Sequence, residues 1–135
     1  MTKSLADRYG CSTITFRHMP LTHALDNIAK AGVKKVDIAC IPGFCPHIDP
    51  LAFDAKTEAD LLAKLKEHGQ TVSTLNISAG GLNTEKSEFV YSFISAAIKI
   101  AKKLGCYAIT IPPGSKVKDP SLWDENAAKS IVLLK

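Results

Sequence analysis

The sequence predicts an α/β fold with parallel strands, built as four βα units of a (β/α)8 barrel. Three observations carry that reading. Short β-rich runs alternate strictly with longer helical patterns, which indicates βαβ units. The strands alternate apolar with small polar residues, whereas strands covered by helices on both faces read as continuous apolar runs. Finally, 135 residues hold four such units, about half of the ~250 that a closed eight-stranded barrel takes.

The elements follow in order. Ser12 to Arg17 (STITFR) is the first expected strand. A helix follows with Leu21, Leu25, Ile28 and Ala29 on one face, and Gly32 is placed to end it. Lys35 to Cys40 (KVDIAC) is the second strand, succeeded at once by the loop IPGFCPHIDP. Thr57, with Asp60 three residues on, has the form of a capping box for a helix carrying Leu61, Leu62 and Leu65 and stopping at Gly69.

Thr71 to Ile77 is the third strand, broken by Ala79-Gly80-Gly81. The third helix has the clearest pattern: Phe89, Phe93, Ala96, Ala97, Ile100, Ala101 and Leu104 share one face. Lys99, Lys102 and Lys103 suit the negative end of its dipole, and Gly105 stops it. Cys106 to Ile111 is the fourth strand, ended by Pro112-Pro113-Gly114. Asp119 then caps a last helix with Pro120 at its first position, and Trp123, Ala127, Ile131 and Leu134 form its apolar face up to Lys135.

Within the strands, Ile14, Phe16, Val36, Ile38, Leu75, Ile77, Ile109 and Ile111 fall on one side. Thr13, Thr15, Asp37, Ala39, Thr74, Asn76, Ala108 and Thr110 fall on the other. A sheet with helices on one face and a small, polar opposite face suits a barrel lined for a ligand; the alternative is a small flavodoxin-like doubly wound sheet. Four units leave the first and fourth strands with unpaired edges, which invite association. The expectation is that residues 1–135 are the N-terminal half of a TIM-barrel domain, with a homo-oligomer through the exposed edges as the other way to cover them.

Composition narrows the partners. A hydrophobic content of 46% with 22% charged residues is that of a globular protein. The net charge of +4 is mild and spread as lysines, without the basic, aromatic-interleaved stripe of a nucleic-acid binder, so no nucleic-acid partner is expected. No apolar run approaches membrane-spanning length and the N-terminus lacks a leader pattern, so the expected setting is cytoplasmic, with no membrane partner. The four cysteines are then expected as free thiols packed like small core residues.

The order of three segments resembles the N-terminal half of the xylose-isomerase-like TIM barrels, the superfamily of sugar-phosphate isomerases and epimerases that also includes endonuclease IV. The segments are TFRHMPLTHALDNIAKAGVKKVDIAC, the CPHIDP after the second strand, and AAIKIAKKLGCYAITIPPG. The resemblance implies a sugar or sugar-phosphate isomerase or epimerase that moves a proton beside a carbonyl. It implies a divalent metal (Mn, Mg, Co or Zn) in the full-length enzyme, because a cation stabilises the developing enolate. The metal ligands and paired catalytic carboxylates of such enzymes come mostly from the other half of the barrel. The catalytic residues are therefore expected beyond Lys135, no catalytic residue or metal ligand is assigned within residues 1–135, and the 135-residue chain is expected to be inactive by itself. The alternatives are an endonuclease IV-like abasic-site nuclease and a non-catalytic, self-associating half-barrel.

Barrel sites lie at the C-terminal ends of the strands. The candidate substrate contacts there are His47, Asp37, Asn76, Arg17 and Ser115. His47 is braced by Pro46 and Pro50 and matches a histidine that in the resembled enzymes meets zinc or substrate. Asp37 is a carboxylate on the inner face, expensive there unless paired or wet. Asn76 could meet a sugar hydroxyl or cap its own turn, and Arg17 and Lys116 could meet a phosphate. A zinc site from Cys40, Cys45, His47 and Asp49 is disfavoured, because structural zinc uses paired short spacings.

Overall fold

The computed structural model describes residues 8–83, 87–112, 114 and 116–134. Four strands are present: β1 (Cys11–Ser12), β2 (Lys35–Cys40), β3 (Thr71–Ile77) and β4 (Ala108–Thr110). They alternate with α1 (Leu21–Lys30), α2 (Ala55–His68), α3 (Ser87–Lys103) and α4 (Trp123–Leu134). All three strand pairings are parallel, and the spatial order is β1-β2-β3-β4. A flavodoxin-like sheet reverses direction and carries the order 2-1-3-4-5. The unreversed order therefore excludes that alternative and winds the three connecting helices, α1, α2 and α3, onto the same side.

The core lies between that helix layer and the sheet. Val36, Ile38 and Cys40 of β2 and Val72, Leu75 and Ile77 of β3 pack there against Leu25 and Ile28 of α1, Leu61 and Leu65 of α2, and Val90, Phe93 and Ala97 of α3. Val72 and Leu75 both reach this layer although they are three apart, because β3 has a bulge: Val36 pairs with Val72 but Asp37 pairs with Thr74. The extra residue, Ser73, is held by donating its hydroxyl to the Val36 carbonyl at 3.0 Å. A bulge restores alternation with the opposite parity, which places Thr74 and Asn76 on the inner face.

The expected boundaries of β2 and β3 match those observed, as do the stops at Gly32 and Gly69, with φ of 77° and 59°. Five expectations are corrected. β1 is only two residues long, and Thr13–Phe16 winds into a 3-10 turn. The reason is local: the Ser12 hydroxyl accepts from the Ile14 N–H at 3.3 Å, and the buried Thr13 hydroxyl accepts from the Ala39 N–H at 3.0 Å, replacing a strand bond with a side-chain bond. α2 starts earlier than the Thr57 pattern suggested. Its cap is Asp54, which accepts from both the N–H and the hydroxyl of Thr57 at 2.7 Å, while Asp60 pairs with Lys56 on the surface.

β4 is confined to Ala108–Thr110, shorter than Cys106–Ile111. On α3 the buried stripe runs through Val90, Phe93, Ala97 and Ile100, while Phe89 stands at its margin and is exposed. On α4 Trp123, Ala127 and Ile131 of the expected apolar face are exposed, and among the described side chains of the helix Ser130 is the buried one. The side chain of Leu134 and the whole of Lys135 lie outside what is described. Asp119 does cap that segment, accepting from the Ser121 N–H at 2.9 Å, with Pro120 opening a short 3-10 turn before the helix.

Candidate active-site face of a partial barrel

The inner face of the sheet is arranged in rows across the strands. Ser12, Asp37, Thr74 and Ala108 form one row, and Ala39, Asn76 and Thr110 the next. Two sequence-predicted residues, Asp37 and Asn76, are thereby set on neighbouring rows of the same surface. Asp37 Oδ1 accepts the Thr74 hydroxyl at 2.6 Å, a strand-to-strand bond that fixes the carboxylate and leaves Oδ2 without a hydrogen bond among the described residues. Asn76 is half-buried between the small Ala39 and Thr110, and its carboxamide makes no side-chain hydrogen bond among the described residues. An oriented acceptor beside an unused donor–acceptor amide is what recognition of a hydroxyl-bearing ligand requires.

The loop after β2 is built differently from its appearance in sequence. Phe44 N–H donates to the Ile41 carbonyl at 3.1 Å, with Pro42 second and Gly43 third at φ 73°, the arrangement of a type II turn. Ile41 and Cys45 then exchange two backbone bonds of 3.1 and 2.9 Å. Cys45 and Ile48 fold under the turn and are buried, and Ile48 N–H returns to the Ala39 carbonyl at 3.2 Å. His47 is fully engaged. Its Nε2–H donates to the Met19 carbonyl at 2.9 Å, which leaves Nδ1 as the acceptor facing the Cys45 thiol at 3.5 Å. Nearby, the Arg17 guanidinium lies over the Phe44 ring, 5.2 Å from its centre.

His47 and Arg17 thus pin the loop to the segment between β1 and α1. Both make their contacts at the rim of the sheet. Lys116 is exposed, and Ser115 lies outside the described residues. The expectation that the catalytic residues follow Lys135 concerns positions beyond the described residues. Sequence reasoning missed Thr13 and Thr74, whose hydroxyls set the inner face; their tertiary partners were the missing information. It also missed an apolar slot of about 120 Å³ beneath the loop, between Pro42, Pro46 and Leu51 on one side and Phe89 and Phe93 on the other.

Among the described residues no cysteine belongs to a cluster of converging metal ligands. Burial pushes the Cys40 thiol up to about 12, with the Asp37 charge adding to it, and burial also raises Cys45 against the smaller influence of the His47 backbone and Arg17. Among the described residues, Asp26, Glu67 and His68 are the three potential ligands that converge. They sit on α1 and the C-terminal end of α2, just before β3 begins, and so lie at the opposite end of the sheet from the rim. The Lys64 ammonium already occupies that cluster, 2.6 Å from Asp26 and 3.2 Å from Glu67, while His68 donates to Asp26 at 2.7 Å. These contacts hold the Asp26 carboxyl below its ordinary range, the Lys64 and His68 bonds being the main causes. The cluster is an ion-pair network joining two helices, and the described residues do not fit a metal at the rim.

No profile of a known protein family matches the chain, and no curated protein matches it in sequence. Among solved structures it is similar to the AP endonuclease, family 2, from Brucella melitensis, with a TM-score of 0.62 over 92% of this chain and 48% of that one. The fold is a partial TIM barrel. At 18% identity the likeness is one of architecture. The expected TIM-barrel architecture holds at that level. The partial barrel spans about half the length of the solved neighbour, which agrees with four parallel strands in unreversed order. Among the described residues no helix is long and apolar enough to cross a membrane.

Proposed function

We propose that this chain forms the substrate-facing wall of a barrel that binds a sugar or sugar phosphate for isomerisation or epimerisation. The observation that carries the reading is the inner face itself, where a Thr74-oriented carboxylate lies beside the unpartnered Asn76 amide, flanked by small residues. Asp37 Oδ2 would accept from a substrate hydroxyl, and Asn76 would both donate and accept. The acid–base groups and any divalent metal would come from residues other than those described, so no proton transfer is assigned to this wall.

The test is a titration of the protein with aldoses, ketoses and their phosphates, followed through the amide resonances of β2 and β3. A bond to a charged partner is worth about 1.5–3 kcal/mol, so Asp37→Asn is expected to weaken binding by roughly one to two orders of magnitude, and Asn76→Ala by less. Equal affinity in both variants, or no binding at all, overturns the reading.

A second reading follows from the neighbour, which is named as an AP endonuclease. Binding to DNA containing an abasic site, steeply weakened by salt, would favour it. The mild charge of +4 supports the sugar reading.

A further inference from the structure

A second concave site shares no residue with the inner-face rows. It is a groove of about 250 Å³ formed where α4 meets the segments that follow β3 and β4. One stripe of α4, Trp123, Asn126, Ala127 and Ser130, faces Asn83 and Gly114 across it. These α4 positions are spaced i, i+3, i+4 and i+7, so they share one side of the helix.

The groove has two chemically distinct parts. Trp123 is 60% exposed, and its indole N–H is directed at the Val117 carbonyl at 3.5 Å, which sets the tilt of the ring. With Ala127 beside it, the indole presents a flat apolar surface. The other part is polar and held in place. Asn83 Nδ2 donates to Asn126 Oδ1 at 3.0 Å, and Asn126 Nδ2 donates to the Leu122 carbonyl at 2.8 Å. Below them Ser130 donates to the Asn126 carbonyl at 3.1 Å. Gly114, at φ 155°, makes the approach possible: a Cβ there would stand 2.8 Å from Asn83 Oδ1.

A large aromatic left open to water is the unusual feature, because an indole normally contributes by burial. A rigid aromatic platform with two fixed carboxamides at its edge matches a ligand with an apolar face and a hydroxyl-bearing rim. The volume is below the ~300 Å³ at which pockets for drug-sized ligands begin, so one ring fits and a dinucleotide does not. Because the carboxamides are bonded to each other, a planar base would have to break that bond to be read edge-on. A hydroxyl can donate to the second lone pair of Asn126 Oδ1 without breaking it.

We propose that this groove binds a pyranose ring, stacked on Trp123 and met at its edge by the Asn83–Asn126 pair. The site is independent of the inner-face reading above.

Trp123 is the single tryptophan of the chain, so its emission reports on the groove alone. Methyl α-glucopyranoside added to the full chain is expected to give a saturable blue shift, with acyclic sorbitol giving none. Ala127→Leu, a change to a good helix former on an exposed helix position, fills the groove and is expected to abolish the shift while the far-ultraviolet dichroism stays unchanged. Asn126→Ala should weaken binding several-fold, and Asp37→Asn should leave it unaltered. Absence of saturation up to the solubility limit, a shift that survives Ala127→Leu, or tighter binding of adenosine than of the pyranoside overturns the proposal.

Discussion

Thr13 illustrates how one side chain can set the start of a barrel. Its hydroxyl is fully buried and accepts the Ala39 N–H at 3.0 Å, so it satisfies a backbone donor that a longer β1 would otherwise have bonded. Replacing it by valine keeps the shape and orphans that N–H. Leaving a buried donor unpaired costs about 1–3 kcal/mol, so Thr13→Val should lower the urea midpoint accordingly, and Thr13→Ser should recover most of it. A midpoint unchanged in Thr13→Val would mean that β1 lengthens to take over the bond. The thiols offer a second check at this scale. Cys40, pushed up to about 12, and the buried Cys45 should resist alkylation in the folded protein at pH 8 and react only on denaturation, as followed by peptide mass spectrometry. Early labelling of Cys40 would contradict its place in the core.

At the scale of elements, legibility in the sequence followed the range of the interactions that decide each one. β2, and β3 beyond its bulge at Ser73, were readable because burial on one face imposes a period of two, and glycines at positive φ fixed two helix ends. β1 was not, since Ser12 and Thr13 offer the backbone side-chain bonds that compete with a ladder. The start of α2 was misplaced because Asp54–Thr57 and Thr57–Asp60 have the same spacing, and only geometry tells a cap from a surface pair. His47 was legible as a rim residue, but the use of both its nitrogens depends on a Met19 carbonyl distant in sequence.

The α1–α2 contact carries a pH dependence that can be checked. Asp26 is held below its ordinary 3.8 by Lys64 and His68, so it favours the folded state above that value. The contribution is lost as pH falls through the depressed folded value. Asp26→Asn should therefore be less stable than the parent at pH 7, with the gap in thermal midpoint closing as the pH is taken below about 3. The effect should be modest, because the Asp26 carboxylate is only partly buried and its ion pairs are screened by solvent. A gap that persists unchanged in acid would assign the loss to packing instead of charge.

For the molecule as a whole, the decisive feature is what the sheet leaves uncovered. Its helix side is packed, while the inner face carries Asp37, Thr74, Asn76 and an exposed Thr110, and β4 forms an edge with Tyr107 81% exposed beside it. The solved neighbour is about twice as long, and this chain matches 48% of it. An edge strand with unpaired N–H and C=O groups is a template for further pairing. The 135-residue chain expressed by itself is therefore expected to associate with rising concentration, seen as a growing weight-average mass in sedimentation equilibrium. Thr110→Lys places an inward-facing charge on that edge, a device that blocks edge-to-edge pairing. It should return the protein toward the monomer without lowering its thermal midpoint, since Thr110 is exposed and outside the core. A parent chain that stays monomeric at every concentration would mean that this edge and inner face are stable in water as they stand.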